Sequence, residues 1–269
     1  MMATNTGNWS LLLADKVVFL TGGAGYVAQH IAQTCYAHGA FVVLGDLNIE
    51  AINKVKDEIL ASDDSNNKDR ILTVPLDVTD ERSIEQAVKL TLDKWKTINV
   101  LFNTAAMFLT ADVEHASSDD WSRVFDVNVR GYALVAKHVS PILKKQGSGS
   151  IVNIASISGM VALSPYVLYS TSKGAVIQMT RNLALDLGSF NIRVNSVSPG
   201  YIDSPTIDRI AKDSGTSKGQ LEDKVIKNSC LKRMCQAQEI ANMMVFLASD
   251  LCPFITGANL VVDGGYTTI

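Results

Sequence analysis

Nowhere in the 269 residues is there a basic excess: 24 lysines and arginines stand against 27 aspartates and glutamates, for a formal net charge of −3. A protein that reads nucleic acid needs a basic patch or stripe, so that class of partner is not expected. Long apolar runs are missing as well. The segment "LLLADKVVFL" (11–20) is cut by Asp15 and Lys16 and falls short of the ~20 residues that cross a bilayer. It also lacks the basic leader and small-residue cleavage site of a secretory signal. The expectation is a cytoplasmic protein with no membrane partner. The four cysteines, Cys35, Cys230, Cys235 and Cys252, form no C-x-x-C, and no histidine follows the nearest pair. A zinc site needs about four converging ligands, so no metal is expected and the thiols read as buried and reduced. There is no internal repeat and no Pro/Gly-rich linker. The polar stretch "SDDSNNKDR" (62–70) has mixed charge and reads as a solvated loop.

What is present is a hydrophobic fraction of 47%, enough for a large core in one domain. Short apolar runs recur: "KVVFL" (16–20), "AFVVLG" (40–45), "ILTVPL" (71–76), "INVLFN" (98–103), "SIVNIA" (150–155), "IRVNSV" (192–197) and "NLVV" (259–262). Several are Val/Ile-rich without alternation, the pattern of strands buried on both faces. Helical patterns near 26–38, 49–61, 81–95, 119–145, 169–187 and 237–249 lie between them. The alternation predicts an α/β fold, a Rossmann-type doubly wound parallel sheet of about seven strands with helices on both faces. Residues 1–13 read as a loose arm and 14–269 as the single domain. Ligands of such a sheet bind beyond the carboxyl ends of its strands. The long connection near 203–230 lies at that edge and reads as a substrate lid, with a surface insertion as the alternative.

The first strand runs into "TGGAGYVA" (21–28) and then a helix. Glycines there let a backbone approach a pyrophosphate at a helix N-terminus. From Gly23 the stretch is G-x-G-x-x-A; from Gly22 it is G-x-x-G-x-x-A. Both frames put Ala28 at the last small position. The second strand ends in "LGD", and Asp46 falls 23 residues after Gly23. A carboxylate at about that separation accepts hydrogen bonds from the adenosine ribose. It would repel a 2′-phosphate, and no Lys or Arg follows in "LNIEAIN" (47–53), so NAD is the expected cofactor. A helix cap is the alternative role for Asp46. Asp77, in "LDVTD" (76–80), is placed to meet the adenine amino group or, alternatively, to cap the next helix.

Several motifs in the same order resemble the short-chain dehydrogenase/reductase family, from about Lys16 to Tyr266. "YSTSK" (169–173) resembles its Y-x-x-x-K, and Ser156, thirteen residues before Tyr169, its serine position. "DVNVRG" (126–131) resembles its N-x-x-G segment, with Asn128 as the asparagine. "IRVNSVSPGYIDS" (192–204) resembles the segment that meets the nicotinamide, and "FLASDLCPFITGANLVVDGGYT" the C-terminal end. The glycine turn departs from the compact branch, which has T-G-x-x-x-G-x-G; Tyr26 and Ala28 replace its last two glycines. Gly22 and Gly25 instead match the spacing of the extended branch. The family's N-N-A-G reads here "NTAA" (103–106), so Asn103 matches while Thr104 and Ala106 do not.

The resemblance implies an NAD(H)-dependent oxidoreductase acting on a secondary alcohol or ketone. Residues four apart share a helix face, so Lys173 is expected beside Tyr169, where it and the cationic nicotinamide ring would lower a phenol pKa that is ordinarily about 10. Tyr169 would exchange the proton, Ser156 would hold the reacting oxygen, and Asn128 would hold a water linking Lys173 to solvent. Lys173 would also bind the nicotinamide ribose. The cofactor-binding set is completed by Tyr26, Val27, Leu47, Val78, Asn103, Thr104 and Ala105, and by Pro199, Gly200, Ile202 and Ser204. Ser158, Tyr166, Met107 and Tyr201 join Ser156 as the expected substrate pocket, a mix suited to a small polyol, sugar or cyclic alcohol. Self-association as a homodimer or homotetramer is implied. The competing reading is a non-catalytic cofactor-binding or scaffold protein on the same fold.

Overall fold

Seven short apolar runs pair side by side in register, all parallel. They are β1 (Val17–Thr21), β2 (Phe41–Asp46), β3 (Ile71–Pro75), β4 (Val100–Asn103), β5 (Gly149–Ile154), β6 (Ile192–Pro199) and β7 (Asn259–Val262), in the order β3-β2-β1-β4-β5-β6-β7. The structure is a computed structural model and describes residues 11–62, 67–213 and 215–268. β1 lies at the centre: Val18 faces Val42 of β2 on one side and Val100 of β4 on the other. Its residues alternate between two cores. Val18 and Leu20 join Ile31, Ile52 and Met244, whereas Val17 and Phe19 join Ile84, Val139 and Leu187. Both faces are therefore apolar, which is why the run shows no polar alternation.

The helices that cover the first face are α1 (Tyr26–Ala37), α2 (Ile49–Ala61) and, further along the chain, α9 (Ala237–Ala248). The second face is covered by α3 (Glu81–Trp95) and by α5 (Gly131–Gln146) and α6 (Val167–Gly188). The helix expected over 119–145 is interrupted. It divides into α4 (Ser118–Phe125) and α5, joined by a π-helical turn over Asp126–Arg130 that contains the buried Asn128. Such turns insert one residue into a helix and re-aim a side chain. Gly131 follows it for a steric reason: a Cβ there would lie 2.9 Å from Val78 Cγ2.

Strand order reverses between β1 and β4, so the ends of those strands, Thr21 and Asn103, open the crevice where such sheets bind ligands. Thr21 ties the two ends together. Its hydroxyl accepts from the backbone N–H of Thr104 at 3.1 Å and of Ala105 at 3.2 Å, and the Thr104 hydroxyl donates to the Thr21 carbonyl.

Four expectations are corrected here. The 203–230 segment is not weakly structured: it holds α7 (Thr206–Asp213) and α8 (Lys218–Asn228), packed through Ile207, Ala211, Leu221 and Val225. Of the arm, residues 1–10 lie outside the described residues, but Leu13 is buried and its N–H donates to His38 O at 3.0 Å. Of the solvated loop, residues 63–66 lie outside the described residues; Arg70, at its end, stacks 4.0 Å over the Tyr36 ring and donates to Ala40 O. Of the thiols, Cys35 and Cys252 are buried, Cys230 is exposed and Cys235 half-buried. Among the described residues no helix is long and apolar enough to cross a membrane.

Candidate active site

One cavity of about 680 Å³ runs along the carboxyl ends of the strands, from Asp46 and Asp77 to Ser156 and Tyr169. Gly22, Gly25 and Ala28 line it and Gly23 does not. That decides between the two frames of the glycine turn in favour of G-x-x-G-x-x-A. Gly22 has φ +66°, and a Cβ on it would lie 2.6 Å from the Ala105 Cα. Gly25 caps α1 and its N–H donates to Gly22 O at 2.9 Å. Gly23 faces inward, where a Cβ would meet Leu44 at 3.2 Å. Its expected place against the cofactor is thereby corrected to a packing role.

At the acidic end, the Asp46 carboxylate accepts from Ala24 N and from Asn48 N, both at 3.0 Å. The cap of α2 is Asn48, which accepts from Ala51 N at 3.0 Å. Asp46 is therefore not spent on that cap. Asp77 accepts from Thr79 N at 2.8 Å through Oδ1, and α3 is capped by Asp80 instead. Asn103, expected at the cofactor, contributes nothing to the cavity. It is fully buried, and its amide donates to Asn153 Oδ1 at 2.9 Å, joining β4 to β5.

At the other end, β5 delivers Ser156 and the first turn of α6 delivers Tyr169. Ser156 is extended, and its hydroxyl oxygen accepts from Ser158 N at 3.2 Å and from Ser158 Oγ at 3.0 Å. Ser156 also hydrogen-bonds the Tyr169 hydroxyl. Lys173 lies behind Tyr169 as the spacing of four predicts, its Nζ 5.6 Å from the centre of that ring. It is fully buried, lines no part of the cavity and donates to Ile154 O at 2.8 Å. The Tyr132 ring stands 5.4 Å from the same ammonium, and its hydroxyl donates to the same carbonyl at 3.4 Å. Asn128 is committed elsewhere. Its Oδ1 accepts from Met107 N at 2.7 Å, and its Nδ2 donates to Met107 O at 2.9 Å and Ser172 Oγ at 3.0 Å. Both amide N–H donors are thus used for fixing Met107 and α6.

The family model described as enoyl-(acyl carrier protein) reductase matches residues 23–267. A trans-4-hydroxycyclohexanecarboxylate dehydrogenase of Sinomonas cyclohexanicum is 37% identical over 256 residues, covering 95% of this chain and 94% of that one. A meso-2,3-butanediol dehydrogenase of Serratia marcescens is 35% identical, covering 94% and 95%. A cyclopentanol dehydrogenase of Comamonas testosteroni is 36% identical, covering 94% and 97%. The crystal structure of a levodione reductase superimposes with a TM-score of 0.89 at 29% identity, covering 95% of this chain and 99% of that one. The chain belongs to the short-chain dehydrogenase/reductase family. It is thus an oxidoreductase-family chain whose relatives act on CH–OH groups and use a nicotinamide cofactor.

The cavity fits a nicotinamide dinucleotide on this chain's own features. A cradle at Gly22 that a Cβ would fill leads to an acid at the second strand and ends at the half-buried Tyr169, with the buried Lys173 behind it. Of the residues expected at the cofactor, Gly22, Gly25, Tyr26, Val27, Asp46, Leu47, Asp77, Val78, Thr104 and Ala105 line it. So do Tyr169, Pro199, Gly200, Ile202 and Ser204. All five expected pocket residues, Ser156, Ser158, Tyr166, Met107 and Tyr201, line it too. Sequence reasoning missed several further wall residues, among them Phe108, Leu163, Thr206, Arg209 and Ile210. Only the position of 206–210 in the long connection could have pointed to any of them.

Electrostatically, burial dominates the Tyr–Lys pair of this short-chain dehydrogenase/reductase. Desolvation pushes the Tyr169 phenol up to about 12, with the Ser156 hydrogen bond opposing it. Desolvation lowers the Lys173 ammonium to about 7. Burial sets the direction for Tyr169 here, opposite to the depression expected from Lys173 and the cationic nicotinamide ring together. This makes stability depend on pH in a definite direction. Between about pH 7 and the 10.5 of an unfolded lysine, the unfolded chain holds the proton and the folded chain does not. Stability from this group therefore rises with pH across that window, by up to about 1.4 kcal/mol per pH unit, and is flat below it. Lys173→Met removes the dependence. The stability of the variant relative to wild type, measured by denaturant unfolding, is expected to fall steadily from pH 7 to 10; a pH-independent difference would contradict it.

Proposed function

We propose that the protein is an NAD(H)-dependent dehydrogenase/reductase of small secondary alcohols and their ketones, with Tyr169 as the proton-exchanging group. The observation that carries this is the single cavity that has Asp46 at one end and the Ser156–Tyr169 pair at the other. The relatives' names describe hydroxyl groups on small carbon skeletons, one of them with a carboxylate and two without. Small cyclic alcohols and vicinal diols are accordingly the substrate class.

When bound, the nicotinamide supplies the hydride acceptor or donor. This chain's residues do the rest. Ser156 donates a hydrogen bond to the reacting oxygen and fixes it beside Tyr169. The Tyr169 hydroxyl takes the alcohol proton in oxidation and returns it to the carbonyl oxygen in reduction. Lys173 stands behind Tyr169, and its protonated form, held by about half the molecules near pH 7, favours the phenolate. To reach a ribose it would have to turn from Ile154 O. Asn128 is a positioning residue, holding Met107 and α6. Support for a cytoplasmic location comes from the free thiols. Support for a homodimer or homotetramer comes from the outward Leu185 of α6 and Phe254.

Cofactor preference rests on Asp46. Leu47 beside it is exposed and uncharged, and the cation on the cavity wall, Arg209, sits beside Phe108 near Tyr169. We expect kcat/KM to favour NAD over NADP by more than about tenfold, a difference of 1.4 kcal/mol, and Asp46→Ala to narrow the gap. Equal values in the wild type would refute the assignment.

The role of Tyr169 is tested with cyclohexanol or 2,3-butanediol as substrate. Tyr169→Phe keeps the ring but not the exchangeable proton, so kcat should drop at least about 100-fold while NADH affinity stays within a few-fold. Since the base is the phenolate of a group pushed up to about 12, wild-type oxidation should quicken from pH 7 to 10. A variant that stays active removes Tyr169 from the chemistry. A wild type that binds NADH and turns over no alcohol or ketone favours the scaffold reading instead.

A further inference from the structure

Three residues lining the cavity carry a formal charge: Asp46, Asp77 and Arg209. The acids belong to the cofactor end. Arg209 stands on α7, over the substrate end, and its role follows from where its guanidinium is held. Its Nη2 donates to Phe108 O at 2.9 Å, and its Cζ lies 5.2 Å from the centre of the Phe108 ring. That ring in turn meets the Tyr169 ring edge-on at 4.8 Å. One aromatic ring therefore separates the guanidinium from the proposed proton-exchanging tyrosine.

Arg209 is exposed, but its guanidinium does not pair along its own helix. Asp213 lies four residues further along α7, the spacing at which ion pairs form on a helix. Asp213 instead accepts from Thr110 Oγ1 at 3.1 Å, two residues beyond Phe108. Arg209 has no ion pair among the described residues. A guanidinium has five N–H donors in a planar fork. The Phe108 carbonyl takes one of them, and the fork that remains matches a carboxylate. The same cavity wall carries the apolar Met107, Leu163 and Ile210.

We propose that Arg209 is the anion anchor of the substrate site, and that the preferred substrates are secondary alcohols carrying a carboxylate about one ring's width from the carbinol carbon. This rests on the reading of the cavity as an alcohol-oxidising site. Arg209 grips the carboxylate, Ser156 and Tyr169 receive the hydroxyl at the other end, and the carbon skeleton lies along Phe108.

The probes are 4-hydroxycyclohexanecarboxylate and its uncharged carboxamide, compared by kcat/KM with saturating NAD. The wild type should favour the carboxylate by about 10- to 100-fold, the range of a hydrogen bond to a charged group. Arg209→Gln should bring that ratio to near unity. Arg209→Lys, which keeps charge but not the fork, should retain part of it. A wild-type ratio near unity overturns the proposal, and so does an Arg209→Gln variant that loses both activities equally. A variant whose only change is a raised KM for NAD also overturns it, since that places the guanidinium on the cofactor. If uncharged cyclic alcohols are oxidised and no ratio appears, this inference alone fails. If neither probe nor any uncharged cyclic alcohol is oxidised, the underlying reading fails with it.

Discussion

A carbon atom added to Gly22 would sit 2.6 Å from the Cα of Ala105, closer than folded proteins allow. That contact joins the turn after β1 to the turn after β4 across the point where strand order reverses. It needs a residue without a side chain at φ +66° on one side and a short one on the other. The Thr21 hydroxyl locks the same junction by accepting from Thr104 N and Ala105 N. With the two turns in contact, the clefts above them merge into one cavity from Asp46 to Tyr169. Thr104 and Ala106 depart from the family's usual residues, yet the Thr104 hydroxyl reinforces the junction through the Thr21 carbonyl.

The second constraint is a buried lysine. Lys173 has no exposure, and no carboxylate is among the causes of its shift. The fold offers it the Ile154 carbonyl at 2.8 Å and the rings of Tyr132 and Tyr169 at 5.4 and 5.6 Å. These soften the desolvation cost without cancelling it. Groups driven from their ordinary pKa by burial, beside a cavity, are where acid–base chemistry is commonly placed. The buried Asn128 and its π-helical turn serve the same region by fixing Met107 on the cavity wall.

Much of this was legible in the chain. The Val/Ile-rich runs became the strands, because a strand between two helical layers must be apolar on both faces. Tyr169, Lys173 and Ser156 were placed by the resemblance of their motifs to the family's, and Asp46 by its separation from Gly23 at the end of the second strand. What escaped depends on contacts distant in sequence. Gly22 is distinguished from Gly23 only by Ala105, 83 residues away. Arg209 acquires its place from Phe108, 101 residues earlier. The break at Asn128 hides because helical periodicity continues on either side of one inserted residue. The Tyr169 pKa moved opposite to expectation because spacing shows which charges are neighbours and not how much water is removed.

The most direct measurement is an equilibrium titration of NADH, followed by its fluorescence, against folded wild type and Gly22→Ala. A methyl at this position forces the two turns apart and strains a left-handed backbone at about 1–2 kcal/mol. The account predicts a far-UV circular dichroism spectrum like that of the wild type, with a dissociation constant raised at least about tenfold. A folded variant that binds NADH within twofold of wild type would show that the Gly22–Ala105 contact does not build the cofactor site.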